Sequence, residues 1–117
     1  MQKTNDILNS LLKIEGINGT VVVSRDGFVI DSASSVGMDV EAIGAVISTG
    51  FGASETMGNE LKMGKMGQVT AEFEHGVLVS AVIGQEAIPA IVTGSNANLG
   101  NVRYQARKYI RELEADF

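Results

Sequence analysis

The chain has 117 residues, 44% of them apolar, a formal net charge of -5 and no cysteine. That length buries one core without staples, and the lack of thiols excludes disulfide scaffolds, thiolate metal sites and cysteine nucleophiles. The acidic balance disfavours nonspecific binding to nucleic acid or anionic membrane.

No apolar run approaches the ~20 residues that span a bilayer, and the polar stretch Met1–Asn5 carries no secretory signal. A single cytoplasmic domain over residues 1–117 is therefore expected, without direct membrane insertion. Thr4 is placed to cap a first helix, whose apolar stripe is Ile7, Leu8, Leu11, Leu12 and Ile14. Gly16 ends that pattern. Thr20–Ser24, carrying three successive valines, reads as a largely buried strand. Arg25-Asp26-Gly27 is a tight turn, because Asp-Gly readily supplies positive φ. Phe28–Ser32 is the return strand, and Asp31, hard to bury, suits a sheet edge.

Asp39 can cap a long helix reaching about Asn59. Val40, Ile43, Ile47, Phe51, Ser54 and Gly58 trace one face of it, broadened by Gly44. Glycines 44, 50, 52 and 58 each cost roughly 1 kcal/mol relative to alanine at an exposed helix position. Two shorter helices or a loop would avoid that cost. The periodicity nevertheless continues from Met38 to Asn59 without proline, which favours one helix whose missing side chains let another helix or sheet approach. Met57, Leu61, Met63 and Met66 read as packing residues.

The period then changes to two. Val69, Ala71 and Phe73 alternate with Thr70, Glu72 and Glu74, giving a strand with one wet face. His75-Gly76 turns the chain into a strand over Val77–Ile83, and Gly84-Gln85-Glu86 turns it again. In the last strand, Ile88–Thr93, Pro89 lacks a ladder donor, so regular pairing is expected only after it. Asn96 or Asn98 can cap a final helix with Leu99, Val102, Ala106, Tyr109, Ile110 and Leu113 on its apolar side. The order is α-β-β-α-β-β-β-α, an α+β domain without internal repeats.

Few side chains could converge for catalysis. His75, the only histidine, reads as a turn residue. Glu72 and Glu74 on one wet strand face suit solvation and edge protection. Gly50-Phe51-Gly52 lacks the Gly-Lys-Ser/Thr of a Walker loop and falls inside a helical pattern, unlike a dinucleotide fingerprint. No enzyme activity, catalytic residue, metal or cofactor is expected. Arg103, Arg107, Lys108 and Arg111 are four of the nine basic residues. They read as a charged helix face suiting the dipole, with a phosphate or acidic-partner site as the alternative. From Asp26 through Glu60 there are six acids and no Lys or Arg, either for solubility or to face a basic partner surface.

Two blocks carry a resemblance. Ile17-Asn18-Gly19-Thr20-Val21-Val22-Val23-Ser24-Arg25-Asp26-Gly27-Phe28-Val29-Ile30 and Asn96-Ala97-Asn98-Leu99-Gly100-Asn101-Val102-Arg103, in this element order, resemble the roadblock/dynein light chain family. The compact length is most like its prokaryotic MglB-type regulators of Ras-like GTPases. The resemblance implies a profilin-like sandwich: a five-stranded antiparallel sheet, the long helix on one face and the two terminal helices on the other. It also implies a homodimer joined through third-strand edges and middle helices. The interface would comprise Gly44, Ile47, Gly50, Phe51, Ser54 and Gly58 on the helix, and Val69, Thr70, Ala71, Glu72 and Phe73 on the strand. A GTPase would then meet Glu41, Ser48, Glu55 and Asn59. Arg25 is formally available as a finger, but a solvent-facing turn charge is the simpler reading. A passive light-chain-like scaffold and a small-molecule sensor are the alternatives.

Overall fold

A computed structural model describes residues 2–117. The elements are α1 (Gln2–Leu11), β1 (Ile17–Ser24), β2 (Val29–Ser34), α2 (Val40–Glu60), β3 (Gln68–Phe73), β4 (Gly76–Ala81), β5 (Ala87–Thr93) and α3 (Leu99–Glu114). The strands form one antiparallel sheet in the order β2-β1-β5-β4-β3. Its two edges are therefore β2 and β3, and its central strand is the apolar β5, flanked by β1 and β4.

Alternating side chains divide the core into two layers. Val22, Val79 and Ile91 face α1 and α3, packing with Leu8, Leu11, Val102, Ala106 and Leu113. Val21, Val23, Ile88 and Ala90 point the other way, onto Ile47 and Phe51 of α2. The glycine-bearing segment is one unbroken helix of 21 residues. Asp39 caps it, accepting the Ala42 N–H at 3.2 Å. For α3 the cap is Asn98, which accepts from Asn101 at 3.0 Å. Gly27 takes φ +92 at the β1–β2 turn, the left-handed geometry that the Asp-Gly sequence supplies.

Two local expectations are corrected. Thr4 does not cap α1 but lies inside its first turn, fully buried. Its N–H and hydroxyl both donate to Asp116 Oδ2, at 2.9 and 2.6 Å. A carboxylate from the far end of the chain thus satisfies a donor that the helix start leaves unpaired. Those bonds hold the Asp116 carboxyl below the ordinary aspartate range.

Pro89 does not delay pairing either. It lies within β5 opposite Val22, preceded by Ala87 and Ile88, which pair with Ser24 and Val23. The tolerance has a geometric cause. Ile83 and Ala87 exchange both backbone hydrogen bonds, so by alternation the proline nitrogen points toward Ala81 of β4. There the β4–β5 ladder is interrupted, between its last regular pair, Ser80–Ala90, and the isolated Ile83–Ala87 bridge.

Candidate functional site

The expected interface face of α2 is largely its inner face. Gly44, Ile47 and Phe51 are buried against the chain's own sheet and cannot meet a second chain. A Cβ on Gly44 would lie 2.9 Å from the Gly27 carbonyl oxygen and 3.0 Å from Val29 Cγ2. The close approach that this glycine permits is therefore intramolecular, between α2 and the β1–β2 turn. Ser54 and Gly58 are half-buried at the margin. Gly50 alone of these helix residues is exposed, with nothing within 4 Å of an added Cβ.

The outer face presents a second stripe, absent from the expected set: Ala42, Ala45, Val46, Thr49, Ala53 and Met57. All six are exposed, Val46 to 71% and Met57 to 60%. The polar atoms nearby are turned inward on the helix. Thr49 Oγ1 donates to the Ala45 carbonyl at 2.9 Å, Ser54 Oγ to Gly50 at 2.9 Å, and Thr56 Oγ1 to Gly52 at 3.1 Å. What faces outward is mostly methyl and methylene, with no ionisable side chain in the stripe.

Beside it the sheet is uncovered. The helix rests mainly over β1 and β2; Val69 and Leu78 reach the margin of that layer, and the Phe73 end of β3 is left uncovered. Val69, Thr70 and Ala71 are half-buried, whereas Glu72 and Phe73 are exposed, Phe73 to 68%. Phe73, Leu78 and Val92 line a shallow hollow of about 400 Å³ there. Pairing alternation points the backbone of Val69, Ala71 and Phe73 toward β4 and leaves that of Gln68, Thr70 and Glu72 on the open edge.

Glu41, Ser48, Glu55 and Asn59 do fall on one flank of α2, alongside the β1–β2 turn. Glu41 lines a hollow with Asp26, Phe28 and Ala45. Asn59 lines a groove of about 550 Å³ with Lys65 and Gln85. Glu55, however, is already engaged: it accepts from both terminal nitrogens of Arg25, at 2.6 and 3.0 Å. Arg25 also donates from Nε to the Gln85 carbonyl at 2.6 Å, and its guanidinium lies 5.9 Å from the Phe51 ring centre. Arg25 is a solvent-facing turn residue, as expected, but it is not unpartnered. It ties the β1–β2 turn to α2 and to the β4–β5 turn. The pairing raises the Arg25 pKa and lowers that of Glu55.

Among the described residues there is no group of three His, Cys, Asp or Glu that could hold a metal ion. The void between the sheet and the terminal helices, lined by Leu8, Leu11, Val79, Ile91 and Tyr109, holds about 10 Å³. That is roughly one water. No described helix is long and apolar enough to cross a membrane.

A five-stranded antiparallel sheet with one long helix on one face and the terminal helices on the other is the roadblock architecture. The chain belongs to the Roadblock/LC7 domain family, whose family model matches residues 3–93. That span contains the Ile17–Ile30 block and ends with β5, so the Asn96–Arg103 block lies outside it. The uncharacterized protein MJ1340 of Methanocaldococcus jannaschii is 37% identical over 111 residues, covering 95% of this chain and 96% of that protein. MglB of Myxococcus xanthus superposes with a TM-score of 0.92 at 19% identity, covering 100% of this chain and 96% of its own. A further MglB structure, with a tetrameric arrangement, gives 0.90 at 16% identity over 97% of this chain and 87% of its own. At such identities the likeness to MglB is one of fold.

Proposed function

We propose that the protein is a homodimeric, non-enzymatic regulator or scaffold that docks a small Ras-like GTPase in the cytoplasm. The observation that carries the dimer is the pairing of two incomplete surfaces. An apolar, small-residue helix face lies next to a bare strip of sheet with a free edge. A twofold axis through the β3 edges would continue the sheet and bring each α2 toward the partner's exposed Phe73 and half-buried Leu78. Such an isologous contact pairs the same patch with itself and closes the assembly. Gly50, Ala42, Val46, Ala53 and Met57 would face the partner helix, with Thr70, Glu72 and Phe73 along the strand edge. Val69 and Ala71 would support that edge from within.

GTPase binding rests on family membership and on the shape shared with MglB. The contact stripe is Glu41, Ser48 and Asn59, with Glu55 acting through Arg25 as a strut. Because Arg25 is held by Glu55 and Gln85, the regulator would work by docking to the GTPase rather than by inserting this arginine. A passive light-chain-like scaffold, which would dock the same partner without altering its turnover, is the second reading. The sensor reading has little support, because the interior void is too small for a metabolite.

Pull-down with a Ras-like GTPase loaded with GDP or a GTP analogue, followed by turnover measurements, tests the proposal. Nucleotide-dependent capture with altered turnover supports regulation, and capture without altered turnover supports the scaffold. Equal failure to capture either loaded form of the candidate GTPases rejects both GTPase readings.

A further inference from the structure

The face opposite α2 carries a feature that neither the dimer nor the GTPase surface uses. Arg103, Arg107, Lys108 and Arg111 are all exposed on α3, and Arg103–Arg111 contains no acid, in a chain of net charge -5. Among the described residues no carboxylate lies within ion-pair distance of any of the four. The helix dipole does not account for them, since only Arg111 lies in the last turn, where the dipole acts. Tyr104, exposed to 66%, stands among them. Tyrosine and arginine are the side chains that interfaces enrich.

The cations also border a concavity. Between α3 and the β3–β4 pair runs a groove of about 410 Å³. Ala81 and Ile110 contribute apolar lining, Arg107 and Arg111 the cations, and Glu114 is the one acid among the lining residues. We infer that this groove is a docking site for an acidic, partly apolar segment of a partner protein. Its carboxylates would be received by the planar forks of Arg107 and Arg111, with an apolar side chain over Ala81 and Ile110. Arg103, Tyr104 and Lys108 extend the contact toward the start of α3. A flat bilayer cannot reach a concave floor. A nucleic acid would gain a few phosphate contacts against the repulsion of the whole acidic chain.

The test uses the full chain, isotope-labelled, titrated with an acetylated peptide of alternating Glu and Leu. Vesicles containing phosphatidylglycerol and a single-stranded oligonucleotide are run in parallel. Expected are peptide-induced NMR shifts confined to α3, Gln68 and Ala81. Affinity should fall about tenfold for each arginine lost, in Arg107→Gln and in Arg107→Glu/Arg111→Glu. Glu41→Lys, on the opposite face, should leave it unchanged. Absence of peptide binding, or binding that survives both arginine variants with their amide spectra still folded, overturns the inference. Arginine-dependent binding of vesicles or oligonucleotide without peptide binding overturns it in favour of that ligand. No GTPase enters the assay, so its outcome is independent of the proposed function.

Discussion

Glycines 44 and 50 lie in the same helix, yet alanine at the two positions should act in opposite directions. Each substitution gains roughly 1 kcal/mol of helix propensity. At Gly50 nothing lies within 4 Å of the added Cβ, so the gain stands alone. At Gly44 the Cβ would sit 2.9 Å from the Gly27 carbonyl and 3.0 Å from Val29, closer than side-chain carbons ordinarily approach. Relieving that overlap moves the β1–β2 turn, which Arg25 anchors, and overpacking of this kind costs about 1–3 kcal/mol. Gly44→Ala should therefore lie about 0–2 kcal/mol below the parent and Gly50→Ala about 1 kcal/mol above it. In a domain of this size each kcal/mol shifts the melting temperature by roughly 4 °C. Urea unfolding followed by circular dichroism at two protein concentrations separates these effects from assembly. Equal stabilisation by both alanines would refute the close packing of α2 on the turn. The leucine variants divide likewise: Gly44→Leu should disrupt the protomer, and Gly50→Leu should weaken assembly of folded chains.

Val46→Asp places a charge in the middle of the outer stripe while touching little of its own chain. Light scattering should show half the parental mass with the melting temperature of the isolated chain nearly unchanged, and a dimer persisting on dilution would exclude this face as the contact. Glu55 and Asp116 have carboxyl pKa values held low in the folded state, the first by Arg25 and the second by Thr4. The unfolded chain thus binds more protons in acid, so stability is fully present above about pH 5 and declines as pH falls through the folded pKa values. Glu55→Gln and Asp116→Asn should each flatten the acid limb of a plot of urea midpoint against pH, and a limb unchanged in both would show that these contacts carry no linkage. Arg25→Ala should cost about 1 kcal/mol or less, because the pair is partly exposed. A loss of several kcal/mol would mean that Gln85 and Phe51 depend on the guanidinium more than the ion pair itself does.

The element order and the edge position of β3 were legible because each element follows its own period, and the Asp39 cap is a local signal. What was not legible came from partners distant in sequence. Arg25 sits in a turn sequence that reads as solvent-exposed, but its carboxylate partner is 30 residues away. Thr4 has the side chain of a cap, yet it is received by a residue 112 positions on. The two faces of α2 are not separable by period, for a different reason. Both are apolar or small, so periodicity identifies two stripes without saying which meets the sheet. Ile47 and Phe51 filled the chain's own core because they are large. The smaller Ala42, Thr49 and Ala53, with Val46, were left outside, and residue size was the available clue. Glu41, Ser48 and Asn59 share a flank of α2 by helical spacing alone, and their contact with a partner is a matter for the pull-down.

The bond between Thr4 and Asp116 also orders the events of synthesis. α1 is made before the rest of the domain, but the carboxylate that completes its opening turn follows 112 residues later. A contact spanning 112 residues adds to the sequence separation that slows folding. The sheet needs both β1 and β5, and the layer beneath it needs α3. The nascent chain can therefore hold the first helix only provisionally, and its final seating waits for α3 and the turn that follows it.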